Sequence, residues 1–151
     1  MATNNDLSPQ ETGETVVPRR EFSVRFRVTL GKYRSGAEYL AILSEQGIRL
    51  NIDAEYMLKS SSFVCASKQK TIDLVVASPQ HFGFTKRATF NEICRVAWKH
   101  YHLSPCPPET GPALRLLYLN QPIGTYLDIA MRPITGRYGD DQLYGEDGKD
   151  T

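Results

Sequence analysis

The stretch Leu103–Ile134, LSPCPPETGPALRLLYLNQPIGTYLDIAMRPI, constrains the fold more than any other part of the chain. It packs six of the nine prolines between dense apolar runs. Polar residues stand singly among the apolar ones: Glu109, Arg115, Gln121 and Asp128. An isolated polar group among apolar neighbours is either satisfied by a partner or put to use. Cys106-Pro107-Pro108-Glu109 reads as a helix start or a rigid loop, and Gly111-Pro112 interrupts it. Leu114–Leu119 fits helix or strand, because a short apolar run does not separate the two by period. Asn120–Gly124 has turn chemistry, and Tyr126–Met131 alternates. The expectation is a β-hairpin of Leu114–Leu119 with Thr125–Met131, closed by Pro133.

A chain of 151 residues fits one domain with tails, and 40% hydrophobic with 23% charged residues places it in the folded globular class. Residues 1–19 are polar and lack periodicity, so they are expected to form a disordered tail. Residues 20–135 form the expected domain, and the acidic, Gly-rich residues 136–151 a mobile tail. The net charge of +1 gives no global attraction to nucleic acid or membrane. Locally, residues 1–18 sum to −3, residues 19–34 to +5 and residues 139–151 to −4.

Three cysteines without a CxxC pair argue against a disulfide framework. The N-terminus has no apolar signal region, and no apolar run approaches the ~18 residues of a membrane span. A cytoplasmic protein is expected.

Glu21–Leu30 alternates strictly, with Phe22, Val24, Phe26, Val28 and Leu30 on one face, as a half-buried strand does. Ser35 is placed to cap a helix over Gly36–Gln46, and Asn51 one over Ile52–Lys59. Phe63–Ala66 fits a short strand. Thr71–Ser78 is β-branched and reads as a central strand. Thr89–Tyr101 is the clearest helix. Thr89 with Glu92 makes a capping box, and Phe90, Ile93, Cys94, Ala97, Trp98 and Tyr101 make an apolar stripe. The resulting fold class is α+β: an antiparallel-rich sheet packed by two to three helices, with Gly36–Gln46 and Thr89–Tyr101 on one side.

The pattern Leu103, Cys106-Pro107, Glu109, Gly111-Pro112, Leu114-Arg115-Leu116, Tyr118, Gln121-Pro122, Gly124, Leu127, Ile129-Ala130-Met131 and Pro133-Ile134 resembles a family of small bacterial proteins with no assigned activity. The likeness extends upstream through Gly83-Phe84 and Ala88-Thr89-Phe90. It implies a shared fold and brings no catalytic residues. The family pattern continues into further strands with aromatic residues, where this chain has its acidic segment.

No catalytic constellation is complete. His100, His102 and Cys106 are metal-ligand types, but their spacing is loose for zinc, and no metal or cofactor is expected. Cys106 ahead of Pro107 could be a thiolate near a helix start with a histidine base, yet no orienting third residue is evident. Glu109 and Asp128 lie in different elements and are not evidently an acid–base pair. There is no phosphate loop of either common type.

The leading expectation is therefore a non-catalytic binding or regulatory module acting through a protein or small-molecule partner, with no membrane role. Its candidate site residues are Glu109, Arg115, Tyr118, Gln121 and Arg132. The alternatives are a small thiol-dependent enzyme centred on Cys106, or a nucleic-acid-binding accessory protein. The latter would use the basic strand Arg19–Arg34, through Arg19, Arg20, Arg25 and Arg27. Aromatic residues for base stacking are missing from that basic face. Arg115 is expected to pair with Glu109 or Asp128, or else to anchor a partner.

Overall fold

A computed structural model describes residues 22–134, together with the backbone of Ala2–Thr3, Thr135, Asp141–Gln142 and Gly145–Asp147. In chain order the elements are β1 (Ala2–Thr3), β2 (Phe26–Leu30), α1 (Gly36–Glu45), α2 (Ile52–Lys59), β3 (Lys70–Leu74), a 3-10 turn (Pro79–Phe82), α3 (Phe90–Tyr101), β4 (Leu103–Ser104), α4 (Thr110–Leu117), β5 (Tyr126–Asp128), β6 (Ile134–Thr135), β7 (Asp141–Gln142) and β8 (Gly145–Asp147). One sheet runs β2-β3-β1-β4, and β5–β8 and β6–β7 form two-stranded ribbons. Every strand pairing is antiparallel. The fold class is α+β.

The expected tail 1–19 lies outside the described residues except for Ala2–Thr3. The sequence placed these two in the tail, and they pair with Leu74, Leu103 and Ser104. The expected tail 136–151 is likewise outside the described residues apart from the backbone of β7 and β8.

The alternating stretch forms β2, but only from Phe26. Val28 and Leu30 are buried as the alternation requires. Phe22 leaves that face and stacks on Phe82 at 5.4 Å and Tyr101 at 5.3 Å, while Val24 stays exposed. β3 has strand neighbours on both sides, as a central strand should, and ends at Leu74 rather than Ser78.

The helix caps follow the local chemistry. Ser35 accepts from Glu38 N–H at 3.2 Å, Asn51 from Ala54 N–H at 2.7 Å, and Thr89 and Glu92 bond reciprocally. The α3 stripe is narrower than its spacing suggests. Ala97 is fully buried and Ile93, Val96 and Tyr101 pack beside it, whereas Trp98 is half exposed over His102.

α1, α2 and α4 share one core with Val28, Leu30, Leu43, Met57, Leu58, Leu114 and Met131. Leu74 belongs to this core, and the next residue, Val75, belongs to a second core with Phe82, Ala97 and Leu103. Successive residues of extended chain point to opposite faces. α3 thus lies across the sheet from α1, and the expectation that both cover one side is corrected. The 3-10 turn, ended by Gly83 at φ 88°, redirects the chain at that point.

The largest correction concerns Leu114–Leu119. It is no strand of a hairpin; Thr110–Leu117 is helix α4. Pro112 does not break this helix, because it stands in the first turn, where backbone N–H groups lack intrahelical acceptors anyway. The helix buries Gly111, Pro112, Ala113 and Leu114. Of the second expected strand only Tyr126–Asp128 remains, paired with β8. Phe63–Ala66 is not a strand either, and one of its N–H groups has another partner.

Candidate functional site

That partner is Glu109, which is 0% exposed. Its Oε1 accepts from Gly31 N–H at 2.7 Å and from the Tyr39 hydroxyl at 2.8 Å, and its Oε2 accepts from Ala66 N–H at 2.8 Å. The side chain makes no capping bond to α4. It ties together the turn after β2, helix α1, the segment before β3, and α4. Its carboxylate oxygens are thus engaged by protein donors, so Glu109 fastens the fold rather than facing a ligand. Burial, then the bond to Glu109 and its negative charge, push the Tyr39 phenol above its ordinary range. Burial and the same charge push the Cys65 thiol up to about 11, so it stays protonated at neutral pH.

The other four candidate residues do not gather around Glu109. Tyr118 ends α4 and packs its ring on Phe26 at 4.8 Å. Gln121 donates to Thr125 C=O at 3.0 Å and helps close the loop in which Thr125 N–H and hydroxyl bond Pro122 C=O. Arg132 is exposed beside a proline-walled hollow of about 550 Å³ formed with Pro105, Pro107, Pro108 and Pro133. Arg115 is half-buried on α4 and forms no ion pair with Glu109 or Asp128. The expected tie of Arg115 to Glu109 does not form; neutral donors from Gly31, Tyr39 and Ala66 hold the carboxylate instead. Arg115→Ala breaks no ion pair among the described residues and should therefore change stability by less than about 1 kcal/mol. A chemical denaturation midpoint far below wild type would contradict this.

The cavity of site character lies elsewhere. A cleft of about 430 Å³ opens between the chain after β3, the start of α4 and β5. Its apolar walls include Phe26, Val75, Leu114, Leu127 and Ile129, with Ser78, His81, Cys106, Thr110 and Asp128 among them. Thr110 and Leu114 stand i and i+4 on α4, hence on one helix face. The Thr110 hydroxyl is buried with no hydrogen-bond partner. Among the described lining residues Asp128, at the exposed rim, is the one Asp or Glu, and there is no lysine or arginine. Sequence reasoning named Cys106 and Asp128 but missed Thr110. Thr110 carries no signal in sequence, because its missing partner is a property of the packed wall.

Cys106, His81 and Asp128 thus share one cleft, a set of residue types that could serve thiol chemistry. Two observations weigh against it. Ser78 N–H donates to His81 Nδ1 at 3.0 Å, so a neutral His81 carries its proton on Nε2 and offers a donor there rather than a base. Cys106 is also not in the first turn of α4, which begins four residues later. Its N–H donates to Ala130 C=O at 2.6 Å, and Cys106 bridges Met131 within the core. Among the described residues no group of His, Cys, Asp and Glu is arranged to hold a metal ion.

The basic strand is partly neutralised. Arg27 Nε donates to Asp73 Oδ1 at 2.6 Å and Nη2 to Oδ2 at 3.3 Å, across the β2–β3 register. The guanidinium holds the Asp73 carboxyl below its usual range. Arg25 lies over the Phe26 ring at 5.6 Å, and Arg19 and Arg20 are outside the described residues. No helix among the described residues is long and apolar enough to cross a membrane. Compared with known proteins, the chain matches no family model, no curated protein and no solved structure.

Proposed function

We propose that this protein is a non-catalytic binding module that holds a small, largely apolar molecule in the cleft between the chain after β3, α4 and β5. The observation that carries the reading is the buried, unpartnered hydroxyl of Thr110 on the cleft wall. Leaving a buried polar group unpaired costs about 1–3 kcal/mol, so such a group calls for an explanation. Thr110 is 0% exposed, so a ligand hydroxyl or carbonyl would satisfy it by parting the wall side chains that cover it. The cleft volume lies in the range of small-molecule sites, which are mostly apolar with a few placed polar groups. With Asp128 at the rim and no lysine or arginine among the described lining residues, an uncharged or cationic molecule suits it better than an anion. The His81 tautomer and the core position of Cys106 favour binding over thiol catalysis.

Thr110→Val tests this, because valine keeps the shape and removes the hydroxyl. The variant should be as stable as wild type or more so, by up to about 2 kcal/mol. Native mass spectrometry should find a small molecule on the purified wild-type protein that the variant lacks, and the variant should bind the uncharged dye Nile red more weakly. A variant less stable than wild type would mean that the hydroxyl serves the fold. Absence of both adduct and dye binding in wild type would reject the cleft as a site.

A further inference from the structure

A second hollow, independent of the cleft, runs along the outer edge of the sheet. It has a volume of about 340 Å³ and is walled by β2 on one side and by α1 and α4 on the other. Three consecutive β2 residues, Arg27, Val28 and Thr29, line it. Successive strand residues point to opposite faces. A hollow that meets all three therefore follows the edge of the strand rather than one face of the sheet. The sheet order agrees: β2 is terminal, and β3 is its only strand neighbour among the described residues. An antiparallel edge strand presents unpaired N–H and C=O groups on its free side.

The far wall is apolar, with Ile42 of α1 and Leu116 and Leu117 of α4. Leu117 is 57% exposed. The charged groups among the described lining residues are Arg27 and Lys32, and no Asp or Glu is among them. Arg27 shares its charge with Asp73, while Lys32 is exposed and lies 5.7 Å from the Tyr33 ring. A strand edge with no partner strand among the described residues, an apolar wall and a cationic rim occur together here. That combination suits a segment that supplies backbone, apolar side chains and carboxylates at once.

We propose that this groove docks an acidic, extended segment of a partner protein, which adds to β2 as a further antiparallel or parallel strand. Main-chain bonds to β2 hold it, alternate apolar side chains meet Ile42, Leu116 and Leu117, and its carboxylates meet Lys32 and Arg27. The competing role of the two cations is to guard the edge against pairing. A guard repels every added strand, whereas a docking rim discriminates by charge.

The test is an NMR titration of the full chain with a short synthetic peptide alternating Glu and Val, and with its Lys/Val counterpart. The Glu/Val peptide should shift the amides of residues 27–29 and slow hydrogen exchange at those whose N–H faces away from β3, with affinity falling as salt rises. Lys32→Glu, at an exposed position, should keep the melting temperature. It should weaken the Glu/Val peptide on the order of tenfold, the effect of about 1.4 kcal/mol. Thr110→Val should leave this binding unchanged, which separates it from the cleft. No amide change with the Glu/Val peptide, equal binding of both peptides, or shifts confined to the cleft would each overturn the proposal.

Discussion

Glu109→Ala is expected to remove roughly 3–6 kcal/mol of stability, enough to unfold much of the protein at room temperature. The substitution orphans three buried or part-buried donors at once: Gly31 N–H, the Tyr39 hydroxyl and Ala66 N–H. Each unpaired donor costs about 1–3 kcal/mol, against a total stability of about 5–15 kcal/mol for a domain. Glu109→Gln keeps the shape but turns an amide N–H₂ toward at least one of these donors, so it should lose less, about 2 kcal/mol. Tyr39→Phe deletes one donor and should cost about 1.5 kcal/mol. It should also flatten the alkaline limb of the stability curve. The phenol is held protonated in the folded state, so its contribution is present below about pH 10 and lost as pH rises beyond it. Urea unfolding of the three variants checks the order. An alanine variant within about 1 kcal/mol of wild type would show that water replaces the carboxylate at no cost.

Gly36→Ala should be as damaging, for a steric reason. A Cβ on Gly36 would lie 1.7 Å from the Leu58 carbonyl oxygen, a backbone atom that cannot rotate away. α1 and α2 cross at this point, so the clash separates the two helices and opens the core that holds Tyr39, Leu43, Met57 and Leu58. Overpacking a core costs about 1–3 kcal/mol when side chains can adjust, and a backbone clash belongs at or above the upper end. Alanine is otherwise the best helix former and would be read as stabilising at the start of a helix. A lower melting temperature with retained α3 amide signals is the expected pattern. A variant more stable than wild type would mean that α1 slides past α2 freely. Gly31→Ala meets Lys68 C=O at 2.4 Å and also needs φ +75°, so it should fail in the same assay.

Periodicity and caps located β2, α1, α2, β3 and α3, because those signals are local. Ser35, Asn51 and Thr89 bond to N–H groups three residues away, and alternation in Phe26–Leu30 reports one buried face. α4 was misread because Leu114–Leu119 has no period that separates helix from strand, and because proline in a first helical turn looks like a breaker. The α+β class, the segment Leu103–Ile134 as a centre of the fold, and the need of Glu109 for a partner were legible in the chain itself.

The identity of that partner was not. Two of the three groups that hold Glu109 are main-chain N–H groups, of Gly31 and Ala66, which no side-chain pattern announces. They lie 78 and 43 residues away in sequence, and only packing brings them within hydrogen-bond reach. Arg115, the partner that charge suggested, stands on α4 and pairs with no carboxylate among the described residues. Tertiary structure likewise decided that the Thr110 hydroxyl would be left without a hydrogen-bond partner and that Arg27, Val28 and Thr29 would share a groove. Residue types fix which groups need partners; the fold decides which of them are left to find one outside the chain.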